Sequence, residues 1–347
     1  MDLVKLENFL AAEGQPKFRQ AQIKRAIFKE GVASFNDIST LSKELRDILT
    51  LEIPILSFTV EKVLIAKDKQ ALKALLKLAD GQKIETVLIS SNGESWSACV
   101  SSQVGCPLAC GFCATGRGGF KRNLSSEEIT DQILFWRQYL KNELKLSAES
   151  LGLTNVVYMG MGEPFLNWEA VAQSLRDLTN QDLYGFGSRS ISVSTAGIVE
   201  GIEKMADNFP QINLALSLHF ANDKKRGEIM PVNQRNDLAS LRQALRNYFQ
   251  KSKRKVFLEY VLLEGINDSY QDALELINFV KSIDKLQLLW VNLIRYNSTA
   301  AQFRSSSKAQ TLKFRDYLKE GKVGVTIRKS LGGDIEGACG QLLADKS

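Results

Sequence analysis

The residues best equipped for chemistry in this chain are its cysteines. Four of the five, Cys99, Cys106, Cys110 and Cys113, fall in one short stretch, and the fifth is Cys339. An odd number of cysteines argues against a framework of paired disulfides and for metal ligation or redox chemistry. Cys106-Pro-Leu-Ala-Cys110-Gly-Phe-Cys113 has the spacing C-x3-C-x2-C. Three thiolates so spaced can wrap one face of an iron–sulfur cubane. One iron then has no protein ligand and is open to another molecule. Zinc on the same cysteines needs a fourth ligand. The only histidine, His219, lies far downstream, so a local zinc knuckle is the weaker reading.

A second group of residues follows an apolar run, in Asn155-Val-Val-Tyr-Met-Gly-Met-Gly162-Glu163-Pro164. The glycines allow close approach of backbone to a ligand, and Glu163 could bind an amine. Alone this is weak, because glycine at a strand end is usually a turn. Beside an open iron it gains force. S-adenosylmethionine (SAM) chelates such an iron through its amino and carboxylate groups, and polar side chains at neighbouring strand ends must hold it. Ser194, Ser217-Leu218-His219 and Asn297 are candidates of that kind. Each taken singly reads equally well as a strand-end cap, and His219 as a satisfied core histidine.

These residues need a scaffold that brings strand ends together. From residue 96 onward short apolar runs alternate with helical segments: Ala98–Val100, Val156–Tyr158, Ile191–Val193, Leu214–Leu218, Val256–Leu263, Leu286–Leu293 and Val323–Ile327. Ser125 and Glu128 form a capping-box pattern ahead of Ile129, Ile133, Trp136 and Leu140 at helical spacing. Repeated βα units imply an α/β fold with a parallel sheet and helices outside. Six or so units suggest an open, partial (β/α)6 barrel, with chemistry at the C-terminal strand ends. Residues 1–50 read as a small helical domain. Its second helix, near Phe18 to Lys29, points Ile23, Ala26 and Ile27 inward and carries Lys17, Arg19, Lys24, Arg25 and Lys29 outward, a solvated face or a phosphate-contacting one. Residues 51–95 read as a β-hairpin extension, with strands Gln70–Leu78 and Lys83–Ile89 around Asp80-Gly81. Period-2 alternation places Glu85 on the solvent side of that hairpin. Residues 96–347 form the core.

Composition agrees with an ordinary soluble chain: 44% of its 347 residues are hydrophobic. No apolar run approaches the ~18 residues of a membrane span. The first residues lack a signal-peptide pattern, so a cytoplasmic location is expected. The net charge of +6 permits a nucleic-acid partner without requiring one.

The stretch Cys99-Val-Ser-Ser-Gln-Val-Gly-Cys-Pro-Leu-Ala-Cys-Gly-Phe-Cys-Ala-Thr-Gly resembles the radical-SAM adenosine methyltransferases RlmN and Cfr. The resemblance continues through Gly119-Phe-Lys-Arg-Asn-Leu124, Met159-Gly-Met-Gly-Glu-Pro164, Ser194-Thr, Ser217-Leu-His219, Asn292-Leu-Ile and Asp334-Ile-Glu-Gly-Ala-Cys339-Gly-Gln-Leu. It covers nearly the whole chain. It implies a [4Fe-4S] cluster on Cys106, Cys110 and Cys113, and two SAM molecules per turnover. Cys339 would take a methyl group from one SAM. The other, cleaved reductively, would give a 5′-deoxyadenosyl radical that takes a hydrogen from that methyl, and the carbon radical would add to an adenine carbon. Cys99 would attack Cys339, and the transient disulfide would release the product. Glu85 matches the family's proposed proton acceptor. Gly162, Glu163, Ser194, Ser217, Leu218, His219 and Asn297 match its SAM-binding positions. The chemistry suits the cysteine inventory: an amidine carbon of adenine is not nucleophilic, so a radical route needs one thiol to carry the methyl and one to resolve. Buried, inert thiols are the commoner fate of free cysteines.

RlmN-type enzymes act on carbon 2 of adenosine and Cfr-type enzymes on carbon 8. Glu163-Pro164 resembles the RlmN form, whereas Arg295-Tyr296-Asn297 resembles Cfr, and Ser298 departs from the usual proline. The resemblance favours carbon 2 in 23S ribosomal RNA, with carbon 8 as the alternative and transfer RNA beside the anticodon as a second substrate. It also implies a reducing partner such as flavodoxin or ferredoxin, and a monomer. Lys121, Arg122, Lys224, Lys225, Arg226, Lys251, Lys253, Arg254, Lys255, Arg328 and Lys329 are basic positions able to meet phosphates. Two other classes remain: an activase that makes a glycyl radical on a protein partner, which needs neither Cys99 nor Cys339, and a metal-stabilised RNA-binding module without catalysis.

Overall fold

A computed structural model describes residues 1–144, 152–299 and 302–343. The strands are β1 (Phe58–Ile65), β2 (Ala71–Leu78), β3 (Lys83–Ile89), β4 (Trp96–Cys99), β5 (Gln103–Gly105), β6 (Phe120–Asn123), β7 (Leu153–Tyr158), β8 (Ile191–Thr195), β9 (Asn213–Ser217), β10 (Val256–Leu262), β11 (Leu289–Arg295) and β12 (Val325–Ile327). Ten of them make one sheet in the order β1-β2-β3-β4-β7-β8-β9-β10-β11-β12, and β5 pairs with β6 apart from it. In this sheet the meander β1 to β4 is antiparallel, and every pairing from β4 onward is parallel. A helix follows each of β4, β7, β8, β9, β10 and β11 before the next parallel strand, so six βα units are present. The sheet stays open, because β12 pairs only with β11. This is the expected α/β architecture, with strand C-termini gathered on one side.

Local chemistry explains the helix starts. Ser125 accepts from the Glu128 N–H while the Glu128 carboxylate accepts from the Ser125 N–H, the reciprocal box read from sequence. Ser269 and Asp272 repeat it ahead of the helix Tyr270–Ser282. The helix Ser126–Asn142 packs Ile129, Ile133, Trp136 and Leu140 inward, and the Trp136 indole N–H donates to Thr86 on β3 at 3.1 Å. One apolar core runs from Leu6, Ile23 and Leu49 in the N-terminal helices to Phe314 and Leu318. Arg137 ties the two regions together. It is buried and donates to the carbonyls of Phe28 (2.7 Å) and Tyr184 (2.8 Å), and burial pulls its guanidinium down to about 10.

Several expectations need correction. The second helix is α-helical only over Phe18–Lys24 and continues as a π turn over Arg25–Lys29, although Ile23, Ala26 and Ile27 are buried as expected. The run starting at Leu286 opens with a 3-10 turn, and the strand begins at Leu289. Glu85 does not face solvent: it is 5% exposed. Alternation fails because β3 is covered on both faces. Thr86 meets the helix at Trp136, and Glu85 meets the segment that carries Cys339, accepting from the Leu343 N–H at 2.8 Å.

The basic positions also sort differently. Arg226 is fully buried. Arg122 pairs with Asp80 and Glu128, Lys225 with Asp272, Lys251 with Asp207 and Arg328 with Glu259. Arg254 donates to Asn213, Lys255 lies over the Trp290 ring and Lys329 donates to Gln70. No helix among the described residues is long and apolar enough to cross a membrane.

Candidate active site

The cysteine loop leaves β5 through a turn that only glycine permits. Gly105 has φ +74°, and a Cβ there would lie 1.8 Å from the Gly119 carbonyl oxygen. Ala109, at φ 50°, reverses the chain again. Backbone bonds fix the loop: the Cys106 N–H to Gly119 (2.9 Å), the Gly111 N–H to Ile229 (2.9 Å) and the Cys113 N–H to Cys110 (3.1 Å). Cys106, Cys110 and Cys113 all open into one cavity of about 1100 Å3, its mouth included, at the C-terminal ends of the parallel strands. Burial raises the Cys106 thiol to about 12 and the Cys110 thiol further, so as free groups they stay protonated. A metal must deprotonate them to bind. Among the described residues no three His, Cys, Asp or Glu side chains converge on one ion site. A cubane spreads its ligands over different irons, one thiolate each, so it fits this wider set better than a single ion does.

The strand-end residues line the same cavity. Gly162, Glu163, Ser194, Ser217, His219 and Asn297 all line the cavity with the three cysteines. Glu163 is buried, with Oε1 accepting from the Phe165 N–H (3.1 Å) and Oε2 from the Ala196 N–H (2.7 Å). Burial outweighs those donors and lifts its carboxyl to about 7. An arriving ammonium group would restore its charge. Ser194 and Ser217 share a hydrogen bond at 3.3 Å. His219 adopts φ 57°, and its Nδ1 accepts from the Val261 N–H at 3.1 Å. Burial, with Arg226 nearby, lowers the ring to about 3, so it is neutral with its proton on Nε2. The ring is therefore both a satisfied core group and a wall of the site. Leu218 is not part of the wall: its side chain is fully buried and its carbonyl accepts from Arg226.

The glycines of the Met159–Pro164 turn line the cavity and also pack closely against the chain itself. A Cβ on Gly160 would lie 2.7 Å from the Val100 carbonyl, and one on Gly162, at φ +100°, 2.6 Å from Gln103. Their close approach is to the chain's own β4–β5 connection. That packing sets Glu163, whose N–H donates to the Gln103 side chain at 2.8 Å.

Cys339 reaches the same cavity on an irregular segment, and a second, smaller cavity beside it holds Cys99. The segment is pinned along its length. The Cys339 carbonyl accepts from Asn297 (3.1 Å), Gly340 from the Ala114 N–H (2.8 Å) and Leu342 from Thr115 Oγ1 (2.6 Å). Lys73 holds it from the hairpin, donating to the Glu336 carbonyl at 3.2 Å and pairing with Glu85 at 2.7 Å. Cys99 ends β4, paired with Val87 on β3 and Val157 on β7. Burial and the neighbouring Cys339 push its thiol up to about 12. Glu85 stands behind this segment and does not line either cavity.

Residues 100–277 match the radical SAM superfamily, and residues 1–55 match the N-terminal domain of ribosomal RNA large subunit methyltransferases. The chain belongs to the RlmN/Cfr family of radical SAM methyltransferases. It is 37% identical to a Bacillus velezensis protein named ribosomal RNA large subunit methyltransferase Cfr, across 98% of this chain and 95% of that one. It is 39% identical to a Chlorobium phaeobacteroides protein named probable dual-specificity RNA methyltransferase RlmN, across 98% and 93%. The crystal structure of a radical SAM methyltransferase from Sphaerobacter thermophilus superposes with a TM-score of 0.91 at 37% identity, over 99% of this chain and 98% of that one. Membership in the radical SAM superfamily implies a [4Fe-4S] cluster and SAM. Cys106, Cys110 and Cys113 could hold such a cluster, and Glu163 lines the same cavity.

Glu259 escaped the sequence reading. It is 3% exposed on β10, where its Oε1 accepts from Asn292 at 2.9 Å and it lines the cavity. A lone carboxylate inside the apolar run Val256–Leu263 was the available signal. Met159, read from sequence only as part of the glycine motif, belongs to both cavities.

Proposed function

We propose that the chain methylates carbon 2 of an adenosine in 23S ribosomal RNA through a methyl carried on Cys339. The observation that carries this reading is the position of Cys339, which shares one cavity with the cluster cysteines and a second with Cys99. The cluster, when bound on Cys106, Cys110 and Cys113, supplies the electron for reductive cleavage of SAM. Glu163, Ser194, Ser217, His219 and Asn297 position SAM, with Gly162 shaping the turn beneath. Leu218 backs the wall between Ser217 and His219. Cys339 attacks the sulfonium methyl of a first SAM: its sulfur–carbon bond forms as the sulfonium–carbon bond breaks, and the thiol proton goes to solvent. A second SAM serves the radical step. The Cys99 thiolate then forms a sulfur–sulfur bond with Cys339 as the Cys339 sulfur–carbon bond to the adduct breaks; that electron pair leaves on the carbon, which takes a proton and becomes the product methyl. A small reducing protein such as flavodoxin or ferredoxin supplies electrons, and the chain works as a cytoplasmic monomer.

Support for an RNA path comes from a polar hollow outside the mouth. It shares Tyr296, Asn297 and Arg328 with the cavity and adds Arg295 and Lys329, two cations where phosphates flanking an extruded base would pass. The test is incubation of anaerobically reconstituted protein with SAM, a reductant and unmodified ribosomal RNA, with nucleosides identified by mass spectrometry. 2-Methyladenosine is the expected product. 8-Methyladenosine would move the chain to the Cfr chemistry that Arg295-Tyr296-Asn297 resembles. The same assay on transfer RNA tests the second substrate.

Glu85 is proposed as the proton acceptor. Its carboxylate is held by Lys73 and the Leu343 N–H, so acceptance requires those contacts to part. Glu85→Gln is expected to retain methyl loading on Cys339 while adenosine methylation falls by about 100-fold or more, the usual worth of a general base. Equal loss of both steps would assign Glu85 to holding the segment alone.

A further inference from the structure

The two cavities meet along Met159, Ile294, Asn297, Arg328, Cys339 and Leu342. Among these shared residues Arg328 alone carries a charge. It follows β12, and its N–H donates to the Leu293 carbonyl at 2.9 Å, which fixes its backbone at the mouth of the strands. Its NH1 donates to Glu259 Oε2 at 3.2 Å and lies 3.9 Å from the Met159 sulfur. Glu259 is in turn held by Asn292, so the guanidinium is anchored at one corner only. Among the described residues no protein acceptor takes its remaining N–H groups, and the two free thiols are the reactive groups that flank it.

Resting on the carrier-and-resolver reading, we propose that Arg328 is a positioning residue shared by both thiols: its Glu259-anchored guanidinium is the counter-ion for the thiolate of Cys339 during methyl loading and for that of Cys99 during resolution. One cation at the junction serves two sulfurs in turn, because only one of them is ionised at each stage. In the resting site Glu259 balances the charge. When a thiol gives its proton to solvent, the thiolate gains an arginine partner already in place. Burial opposes ionisation of Cys99, and of the groups around both thiols Arg328 is the cation that favours it.

The other titratable neighbours do not replace it. Glu259 and Cys113 oppose ionisation of Cys339, and Cys339 opposes that of Cys99. Lys329 also lines the Cys99 cavity, but its ammonium donates to Gln70 at 2.7 Å. On the cluster side stand Cys106, Cys110, Glu163 and the neutral ring of His219. Lys73 is engaged with Glu85 behind the segment.

The test reads each thiol separately and needs no RNA. Cluster-loaded full-length protein is treated anaerobically with iodoacetamide across a pH series, and alkylation of the Cys99 and Cys339 peptides is quantified by mass spectrometry. Removing the cation in Arg328→Met is expected to move both profiles up by about one pH unit or more, the usual effect of one nearby charge. At fixed pH below the midpoint that is about tenfold slower alkylation. Arg328→Lys is expected to restore much of the shift. Glu259→Gln, which frees the guanidinium from its carboxylate, is expected to move both profiles down, a direction that loosening of the fold would not single out for two thiols while the cluster absorbance holds. Unchanged profiles in Arg328→Met, or a shift confined to one thiol, would overturn the shared role. Failure of the carrier reading shows elsewhere, as adenosine methylation that survives loss of Cys339.

Discussion

Cys339→Ala is expected to abolish adenosine methylation, by at least about three orders of magnitude, while leaving the cluster and SAM cleavage in place. Alanine offers no thiol to carry the methyl, and no free thiol beside it takes its place. Cys99 is held at the end of β4 by its pairing with Val87 and Val157, away from the cluster cavity. The cluster cysteines are spoken for. The contacts that pin the segment use the Cys339 carbonyl, Gly340 and Leu342, all of which survive the substitution. Iron content and the visible absorbance of the cluster should therefore match the parent, and 5′-deoxyadenosine should still form. Methylated adenosine, measured by mass spectrometry, is the deciding readout. Persistence of that product would remove Cys339 from the role of methyl carrier.

What sequence made legible is what depends on short-range pattern. C-x3-C-x2-C is a local motif, and the loop that bears it is held by local turns at Gly105 and Ala109. The capping box at Ser125 and the alternation of apolar runs with helices gave the six or so βα units, because each obeys a periodicity of its own. What stayed hidden depends on distant parts of the chain. Glu85 looked like a solvent-side strand residue, since nothing in β3 announces that a segment around Leu343 will cover its second face. Gly160 and Gly162 were read toward a ligand, and nothing local announced that they also make room for Val100 and Gln103. The basic positions were read as able to meet phosphates, yet Arg226 is interior, and Arg122, Lys225 and Lys251 are paired with carboxylates. Net charge counts such residues equally, whereas only their surroundings decide which remain available to RNA. Glu259 and Arg328 join from β10 and from beyond β12, a pairing that no local pattern encodes.

Cys99→Ala is expected to trap the reaction after the carbon–carbon bond has formed. The methylene derived from the Cys339 methyl then bridges the Cys339 sulfur and the adenine, and release requires a second sulfur to take Cys339 into a disulfide. Cys99 is placed for that role by a rigid frame and a shared cavity. The sheet fixes its backbone on both sides, and the Thr86 hydroxyl holds its carbonyl at 2.9 Å. Cys339 stands at the boundary between this chamber and the cluster chamber, so one sulfur can face SAM and then its resolver without refolding of the barrel. With Cys99 replaced, an RNA–protein adduct should accumulate to roughly one per enzyme. It should survive denaturing electrophoresis, disappear on ribonuclease treatment, and leave an adenosine-derived mass on the Cys339 peptide. Free methylated RNA should fall by about two orders of magnitude or more, as expected when a group needed for turnover is lost. Multiple turnovers at the parent rate would sink the resolving role. Loss of both adduct and product would place Cys99 earlier, in holding the segment or loading the methyl, and the alkylation profile of Cys339 in the same variant separates those two cases.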